Sequence, residues 1–433
     1  MVKSSILTFA VTWLLSSSVL ASPTARPWDI GVAPLYEPAD AETISDSYIV
    51  VLKRHVTSRQ ALTHCEWVGH LARKHGELVT DFLSSEAAAG IRYTYDTPSW
   101  RGYSGKFSQK ALEDIRRSPE VAYVERDSVV YASELQRSAP WGLARISHRE
   151  KLTLRTFNKY IYEPQAGQGI KVFVIDTGIN IQHSDFDGRA QWGVTIPEQE
   201  EDIDGNGHGS HCAGTIAGRR FGVAKEAQPV AVKVLRSNGS GSMSGVLAGV
   251  NWALEQHQMD AEEARASNKT YKGAVANMSL GGGRSKALNM AVNEAVRNGI
   301  VFAVAAGNDN RDACQYSPAG AEKAITVGAS NLADEKAYFS NHGKCLDVFA
   351  PGQDIMSIWK GSKTATNTLS GTSMASPHVA GLCAYLMSLS EEPMSPQAVK
   401  DKILALATKG ALTNLPKDTP NMLIYNDAPK SFF

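Results

Sequence analysis

The feature that most constrains the fold is a set of short, almost wholly apolar segments after Gly167, which alternate with longer segments of helical spacing. The apolar segments are 171–175, 230–235, 274–280, 300–305, 324–327 and 346–349. A strand with one face in water alternates apolar and polar residues, whereas a strand of a parallel sheet covered on both faces is apolar throughout. The segments predicted to be covering helices are 244–255, 285–298 and 373–389. The pattern therefore predicts an α/β domain with a doubly wound, mostly parallel sheet and helices on both faces.

The beginning of the chain has the pattern of a targeting segment. Lys3 precedes an apolar run that contains three serines and ends in Val19-Leu20-Ala21, whose small residues suit cleavage by signal peptidase. A membrane anchor needs about 20 apolar residues, and this run is shorter and more polar. Residues 1–21 are therefore predicted to be a secretory signal peptide, and residues 22–46, which contain four prolines, a linker.

A small module is predicted between this linker and the large domain, over residues 47–131. Its predicted strands are 47–53, 103–107, 121–124 and 129–131, and its predicted helices are 58–85 and 109–117. This order of elements indicates an α+β unit. The polar segment 132–137 predicts an exposed, cleavable junction, so that the large domain would occupy residues 138–433.

Charge and cysteine content exclude several classes of function. The 44 Lys and Arg residues balance the 44 Asp and Glu residues, so there is no sequence-wide positive field to attract nucleic acid or anionic lipid. Five widely spaced cysteines in 433 residues fit neither a disulfide-rich scaffold nor a zinc site built from paired Cys-x-x-Cys motifs.

Two motifs place an acid and an imidazole where a functional site is expected. Asp176 follows the first apolar strand, and functional groups of open parallel sheets collect at the carboxyl ends of the strands. A buried carboxylate needs a hydrogen-bonded or charged partner, although Asp176 taken alone also fits a turn or a helix cap. His208 is a candidate partner, because the glycines on both sides of it let other backbone approach the ring.

Metal binding is the alternative for the histidine motif. His208, His211 and Cys212 resemble a zinc cluster, but no fourth ligand follows at a fixed spacing. The segment that starts at Asp202 matches the first half of a calcium loop, yet Ala213 stands at the twelfth position, where such loops have glutamate. Both kinds of metal site are therefore disfavoured.

A serine and an asparagine complete the set of candidate catalytic residues. Ser373 lies shortly before Pro377, which is typical of a helix N-terminus, where the helix dipole favours developing negative charge. A serine in this position is more often an N-cap, and Ala375 excludes the Gly-x-Ser-x-Gly elbow of other hydrolases. Asn308 follows the predicted strand 300–305, so its amide can donate to an oxyanion beside the Ser373 amide. The chain order Asp, His, Ser is that of subtilisin.

The motifs VIDTG, GHGSHCAGTIAG, AVANMSLGG, AAGND and SGTSMASPHVAG resemble those of the subtilisin-like serine proteases, and within them the proteinase K branch. The segments 138–148 and 231–241 most resemble the fungal vacuolar proteases of the cerevisin type, and residues 47–131 resemble the inhibitor-type propeptide of that family. The resemblance implies a subtilisin-like sheet preceded by a small ferredoxin-like propeptide domain. It also implies a serine endopeptidase, made as a self-processing zymogen, for general protein degradation with broad, apolar-leaning specificity.

The same resemblance assigns roles to single residues. Ser373 would be the nucleophile, His208 the general base and acid, Asp176 the carboxylate that orients the imidazole, and Asn308 the oxyanion donor. The residues expected to pair with the substrate backbone or to line the first side-chain pocket are Gly239, Ser240, Gly241, Leu280, Gly281, Gly282, Ala305, Ala306 and Gly307.

The resemblance implies no required cofactor. Proteinase K-like enzymes often bind structural calcium through a carboxylate near Asp347 and backbone carbonyls near Glu322 and Ala324. Backbone carbonyls cannot be read from a sequence, so the metal content is left open.

Two covalent features are also predicted. Cys314 and Cys345 are expected to form one disulfide, because the compartment is oxidising and Cys212 and Cys383 fall on helices packed inside. Of three Asn-x-Ser/Thr sites, only Asn268 lies in a polar stretch that suggests enough exposure for glycosylation.

Two other functional classes remain as alternatives. A catalytically silent relative that acts as a binding protein would be expected to lack a triad residue, and all are present. Another hydrolase, such as an esterase, is disfavoured by the missing elbow and by the propeptide. The expected partners are protein and peptide substrates and the chain's own propeptide, with no nucleic acid and no membrane span in a monomeric mature form. The expected destination is the vacuole, with the extracellular space as the alternative.

Overall fold

The computed structural model describes residues 31–37, 43–74, 90–97, 99–128 and 134–428. The chain divides into two compact units, Met1–Tyr131 and Ala132–Phe433. The predicted signal peptide and the predicted strand 129–131 lie outside the described residues, as does the end of the predicted helix 58–85. Among the residues described, no helix has the length and apolar character that crossing a bilayer requires.

The first unit is a five-stranded sheet packed against two helices. Its elements are β1 (Leu35–Tyr36), β2 (Thr43–Leu52), α1 (Ser58–Lys74), β3 (Ile91–Asp96), β4 (Arg101–Lys106), α2 (Gln109–Arg116) and β5 (Val121–Ser128). The strands lie in the order β1-β5-β2-β4-β3, with β1 parallel to β5 and the other neighbours antiparallel. Tyr48, Val50, Val68 and Leu112 are buried in one core, as an α+β module requires.

Two strands of this unit differ from the sequence prediction. β3 was not predicted, although its sequence alternates apolar or aromatic residues with polar ones; it is an edge strand on which Arg92, Tyr93 and Thr94 are all exposed. β1 lies inside the predicted linker, since Ala33 is buried and Leu35 packs against the core. A two-residue strand is too short to produce a periodic signal.

The second unit is built around a nine-stranded sheet. Its strands are β6 (Glu134–Arg137), β7 (Lys159–Tyr162), β8 (Lys171–Asp176), β9 (Gln191–Thr195), β10 (Gln228–Lys233), β11 (Ala274–Met278), β12 (Gly282–Gly283), β13 (Ile300–Ala305), β14 (Tyr316–Ser317), β15 (Ile325–Ser330), β16 (Val348–Pro351), β17 (Ile355–Ile358), β18 (Thr366–Leu369), β19 (Thr408–Lys409) and β20 (Met422–Leu423). Its α-helices are α3 (Trp141–Ile146), α4 (His208–Ala217), α5 (Met243–Ala266), α6 (Lys286–Arg297), α7 (Thr372–Leu389) and α8 (Pro396–Leu406).

The order of strands in the large sheet is β19-β20-β16-β15-β13-β11-β8-β10-β9. Every neighbouring pair is parallel except β19 and β20. The predicted doubly wound, mostly parallel sheet is therefore confirmed.

Alternate residues of β8 explain why its sequence is apolar throughout. Val172 and Val174 belong to the core shared with α4 and α7, whereas Phe173 and Ile175 belong to the core shared with α5 and α6. Both faces of the strand are covered, so both sets of side chains must be apolar. Asp176 ends the strand and is thereby placed at the carboxyl edge of the sheet.

β6 occupies part of the predicted exposed junction. It pairs antiparallel with β7, the Tyr162 hydroxyl donates to the Glu134 carboxylate over 2.7 Å, and the Gln136 amide donates to the Arg220 carbonyl over 2.8 Å. Residues 134–137 thus form a paired strand within the predicted junction, and Glu134 and Arg137 are exposed. The partners of this polar segment lie 28 and 84 residues away, so they leave no local mark in its sequence.

Cys314 and Cys345 form a disulfide, which is the predicted pair. It joins the loops before β14 and β16 and closes a separation of 31 residues, which corresponds to about 3 to 4 kcal/mol of chain entropy. Cys212 in α4 and Cys383 in α7 are buried free thiols.

The three Asn-x-Ser/Thr sites differ in exposure. Asn268 is exposed just after α5, as expected, and Asn277 is buried inside β11. Asn238 is also exposed, which corrects the expectation that only Asn268 would be. The residues next to Asn238 are small (Ser237, Gly239 and Ser240) and not a long polar run, so the sequence around it gave little sign of its exposure.

Candidate active site

The Asp176 carboxylate and the His208 ring form a direct pair. His208 Nδ1 lies 2.8 Å from Asp176 Oδ1 and 3.0 Å from Oδ2, so Nδ1–H donates to the carboxylate. Asp176 is fully buried at the end of β8, and its Oδ1 also accepts from the Thr177 backbone N–H over 2.7 Å. This contact leaves the other ring nitrogen, Nε2, as a base.

A second buried carboxylate, Asp204, shapes the loop that leads into His208. Its Oδ1 accepts from the Thr177 hydroxyl and from the Asn206 and Gly207 backbone N–H groups. Its Oδ2 accepts from the backbone N–H and hydroxyl of Ser210 over 2.9 and 2.6 Å. All five partners are hydrogen-bond donors, so this carboxylate fixes the loop and is not a calcium ligand. Sequence analysis missed this role and treated the motif only as a chance calcium-loop match.

Ser373 lies in the first turn of α7, one residue after the helix begins at Thr372. The predicted helix N-terminus at Ser373 is confirmed to within one residue, and Pro377 lies inside the helix, near its start. Proline has no N–H, so it cannot donate to the carbonyl of Ser373, four residues earlier. The Ser279 hydroxyl donates to that carbonyl over 2.7 Å, and the Cys212 thiol lies 3.4 Å from it. The proline thus frees a carbonyl that anchors the helix start to neighbouring elements.

The Ser373 hydroxyl lies in the cleft that His208 also lines. Its Oγ donates to the Ser279 carbonyl over 3.0 Å. A hydroxyl held by one weak, neutral acceptor can turn toward an imidazole at little cost, which suits a group that must lose its proton during reaction.

The Asn308 side chain is held with its amide nitrogen free for another contact. Its Oδ1 accepts from the Thr372 backbone N–H and hydroxyl over 2.8 and 2.9 Å. A Cβ atom placed on Gly371 would lie 3.5 Å from Asn308 Nδ2 and 3.6 Å from the Ser373 backbone nitrogen. The missing side chain at Gly371 therefore leaves space beside two nitrogen donors, which is the arrangement that an oxyanion needs.

Asn341 holds the loop that carries Asn308. Its Nδ2 donates to the Ala306 carbonyl over 2.8 Å, and its Oδ1 accepts from the Asp309 and Arg311 backbone N–H groups over 3.1 and 2.9 Å. The side chain is fully buried. Sequence analysis missed Asn341, and nothing local marks it, because the loop it supports is about 30 residues earlier in the chain.

The cleft has a volume of about 680 Å³ and brings together most of the predicted substrate-binding residues. Those that line it are Gly239, Gly241, Leu280, Gly281, Gly282, Ala305, Ala306 and Gly307. Ser240 is not among its lining residues; its backbone N–H and hydroxyl both donate to Asn238 Oδ1. Met243, Val246, Leu288 and Tyr316 also line the cleft and were not predicted, because they come from helices and strands whose inward faces are set by packing.

The ionisable groups around His208 are strongly perturbed. Burial disfavours its charged form, but the charge and hydrogen bond of Asp176 and the charge of Asp204 outweigh burial and raise the pKa of His208 above its usual 6.5. Burial lowers the pKa of His211 to about 4, and the ring Nε2 of this histidine is bonded to the Ile355 carbonyl. His211 is therefore a neutral core residue.

The site contains a group of side chains that could be considered as metal ligands. Among the described residues, one group of His, Cys and acidic ligand atoms lies close together: Asp176, His208 and Cys212, within 4.8 Å. The Asp176 and His208 atoms are already bonded to each other, and burial keeps the pKa of the Cys212 thiol well above its usual value. A neutral thiol and an occupied acid–imidazole pair suit hydrogen bonding better than metal ligation.

The raised pKa of His208 predicts the acid limb of the pH profile. If His208 is the general base that the resemblance implies, it works only when it is neutral, so kcat/KM should fall as pH decreases through a midpoint above 6.5. Asp204→Asn removes one of the charges that raise this pKa and should move the midpoint to lower pH. The measurement is kcat/KM of the mature enzyme on a peptide between about pH 4 and 9. A parent midpoint at or below 6.5, or one that Asp204→Asn leaves unchanged, contradicts the role of these carboxylates.

Comparison with known proteins gives a consistent result. Residues 167–420 match the subtilase family (peptidase S8), and residues 47–133 match peptidase inhibitor I9. Alkaline protease 2 of Aspergillus fumigatus is 53% identical over 420 residues, which cover 93% of this chain and 85% of that protein. The subtilisin-like serine protease Pen c 2 of Penicillium citrinum is 52% identical over 423 residues, with 93% and 92% covered. The crystal structure of a cold adapted subtilisin-like serine proteinase is 40% identical, covers 67% of this chain and 98% of its own, and has a TM-score of 0.59.

Proposed function

Since this chain belongs to the subtilase family of serine proteases, we propose that Asp176, His208 and Ser373 are its catalytic triad and that Asn308 is its oxyanion donor. The observation that carries the assignment is the hydrogen bond from His208 to buried Asp176, together with the single cleft that His208, Ser373 and Asn308 line. The reaction is hydrolysis of peptide bonds within proteins, for general protein degradation.

The proposed mechanism follows from these positions. Ser373 Oγ attacks the substrate carbonyl carbon while His208 Nε2 accepts its proton, and Asp176 holds the Nδ1–H and stabilises the imidazolium. The carbonyl oxygen becomes an oxyanion between Asn308 Nδ2 and the Ser373 backbone N–H. The imidazolium then protonates the leaving amine as the C–N bond breaks. Water, deprotonated by the same ring, hydrolyses the acyl-enzyme and restores Ser373. Each step uses only protein groups and water, so we propose that catalysis requires no cofactor.

The proposed specificity follows from the lining of the cleft. Ala305, Ala306 and Gly307 leave a wide first pocket, and Val246 and Leu288 add apolar surface. A pocket with small, aliphatic walls favours apolar side chains. It accepts many of them, because one methylene group changes the free energy of binding by only about 1–3 kcal/mol. The glycines Gly239, Gly241, Gly281 and Gly282 leave the backbone free to pair with an extended substrate.

The proposed organisation of the precursor combines both family matches. Residues 1–21 would be the signal, 22–46 a leading segment, and 47–131 the propeptide that inhibits the enzyme before release. The peptidase domain would begin before Glu134, because β6 already belongs to the second unit. The mature form is proposed to be a monomer. We propose passage through the secretory pathway to the vacuole; the same mature chain recovered from culture medium would instead indicate secretion.

The test of this function is digestion of an unfolded protein by the purified mature enzyme, with every cleaved bond mapped. We expect cuts after many residue types, most often apolar ones, and inhibition when segment 47–131 is added as a separate polypeptide. An unrelated α+β domain of similar size is the control for inhibition. An enzyme that hydrolysed simple esters but no peptide would contradict the proposal, as would a segment that bound the enzyme without slowing it.

A further inference from the structure

Lys400 in α8 places its ammonium group among oxygen atoms that surround the loop before β15. Its Nζ lies 2.9 Å from Asp347 Oδ1, 2.8 Å from the Ala324 carbonyl oxygen and 3.4 Å from the Glu322 carbonyl oxygen. The lysine side chain is 13% exposed and the aspartate side chain 22% exposed. The ion pair is thus mostly shielded from water, so its attraction is screened less than that of a surface pair.

These three oxygens are the set that the family resemblance associates with calcium. A carboxylate and two backbone carbonyls are typical ligands of this ion, which binds oxygens at about 2.3–2.6 Å. The Lys400 ammonium already lies within hydrogen-bonding distance of the carboxylate and one carbonyl and close to the other. A divalent cation between them would be placed against a fixed positive charge. The residues of this chain therefore do not fit calcium at this position while Lys400 is there.

The group that Lys400 contacts is connected to the substrate cleft. Asp347 Oδ2 accepts from the Thr326 backbone N–H over 2.8 Å, and the Thr326 hydroxyl donates to the Ala319 carbonyl over 2.9 Å. Ala319 lies just beyond β14, whose residues Tyr316 and Ser317 line the cleft. A cation at this position therefore holds the loop that returns from the cleft wall to the central sheet.

We propose that Lys400 is a built-in replacement for a structural divalent cation, so that this loop is held by an ammonium group from α8 and not by a metal. One positive charge and three N–H donors satisfy the Asp347 carboxylate and the adjacent carbonyls. The stability of the peptidase unit at this site should consequently be insensitive to chelators. This inference is independent of the assigned catalytic roles.

The experiment uses the full-length chain with Ser373→Ala, so that self-digestion does not interfere, and measures the melting temperature of the peptidase unit by calorimetry. Each protein is melted in excess EDTA and in millimolar calcium chloride. Lys400→Ala is compared with Lys402→Ala, a matched control on the same helix. Residues two positions apart in a helix lie on different faces, so Lys402 does not share the face of Lys400.

The parent and Lys402→Ala should melt at the same temperature in both solutions. Lys400→Ala should melt at least about 2 °C lower in EDTA, and calcium should recover part of the loss, because removal of the ammonium opens the oxygen cage to a metal. Adding Asp347→Asn should abolish that recovery.

Three results would overturn the inference. The first is a calcium-dependent rise in the melting temperature of the parent that Asp347→Asn removes. The second is a Lys400→Ala variant as stable as Lys402→Ala. The third is a loss in Lys400→Ala that calcium does not recover, which would make the contact an ordinary salt bridge and not a substituted metal site.

Discussion

Ser373→Ala is expected to leave a folded, full-length precursor whose peptidase activity is lowered by roughly 10⁶-fold, the loss typical of removing the nucleophile from such a triad. The variant should fold, because alanine favours a helix and Ser373 Oγ makes one hydrogen bond, to the Ser279 carbonyl. The residual activity would come from the oxyanion site and from substrate binding, which accelerate direct attack by water only weakly. Without the nucleophile the precursor cannot cut itself.

The measurement is gel electrophoresis and N-terminal sequencing of purified precursor over time, with titration of active sites. Ser370→Ala is the matched control, since Ser370 lies in the same motif, is exposed and contacts Asp354. The control should process normally, and its new N-terminus should lie before Glu134, because residues 134–137 are held in β6 and are not extended toward a protease. Mature chain produced by purified Ser373→Ala alone would contradict the assignment of the nucleophile.

Asn308→Leu is expected to lower kcat by about 10² to 10³-fold, or roughly 3 to 4 kcal/mol of transition-state stabilisation, with little change in KM. The hydrogen bond from Asn308 Nδ2 strengthens as the substrate carbonyl becomes an oxyanion, so its removal affects the transition state more than the bound substrate. Leucine keeps a similar volume but has no N–H.

Separate kcat and KM values per titrated site, together with a melting curve, distinguish this role from packing. Thr372→Val is the companion variant, because it removes the hydroxyl that orients Asn308 but keeps the backbone N–H that also does so. Its loss of kcat should be smaller than that of Asn308→Leu. A kcat per titrated site that stays within about threefold of the parent, far below what oxyanion donors supply, would show that Asn308 is not the donor.

Several features of this protein were readable from local sequence because their physical cause is local. The apolar character of β8 follows from burial of both faces, which Val172 and Phe173 show by belonging to different cores. Asp176 and His208 could be recognised because each stands at the end of a strand or the start of a helix, where chain geometry directs functional groups to one edge of the sheet.

Other features depend on partners that are distant in the chain. The structural role of Asp204 was not predicted, and the residue was seen only as part of a chance match to a calcium loop. Its hydrogen-bond donors become evident only when the loop folds around the carboxylate. The strand β6 was not predicted within the junction, because its polar residues pair with β7 and with Arg220, which are distant in the chain. The Ser373 carbonyl, which Pro377 leaves without its helical donor, accepts from Ser279, 94 residues earlier.

The sheet, its covering helices, the family and the candidate triad could therefore be predicted before folding was considered, since they depend on periodicity and on motifs of a few adjacent residues. The folded structure was needed to show how these groups are held and which cation lies beside Asp347. The Asn308 amide is oriented by Thr372, its loop is held by Asn341, and the Asp347 carboxylate is paired with Lys400. Such contacts are hydrogen bonds and ion pairs between residues brought within about 3 Å by packing, and no local pattern in the chain specifies which residues will meet.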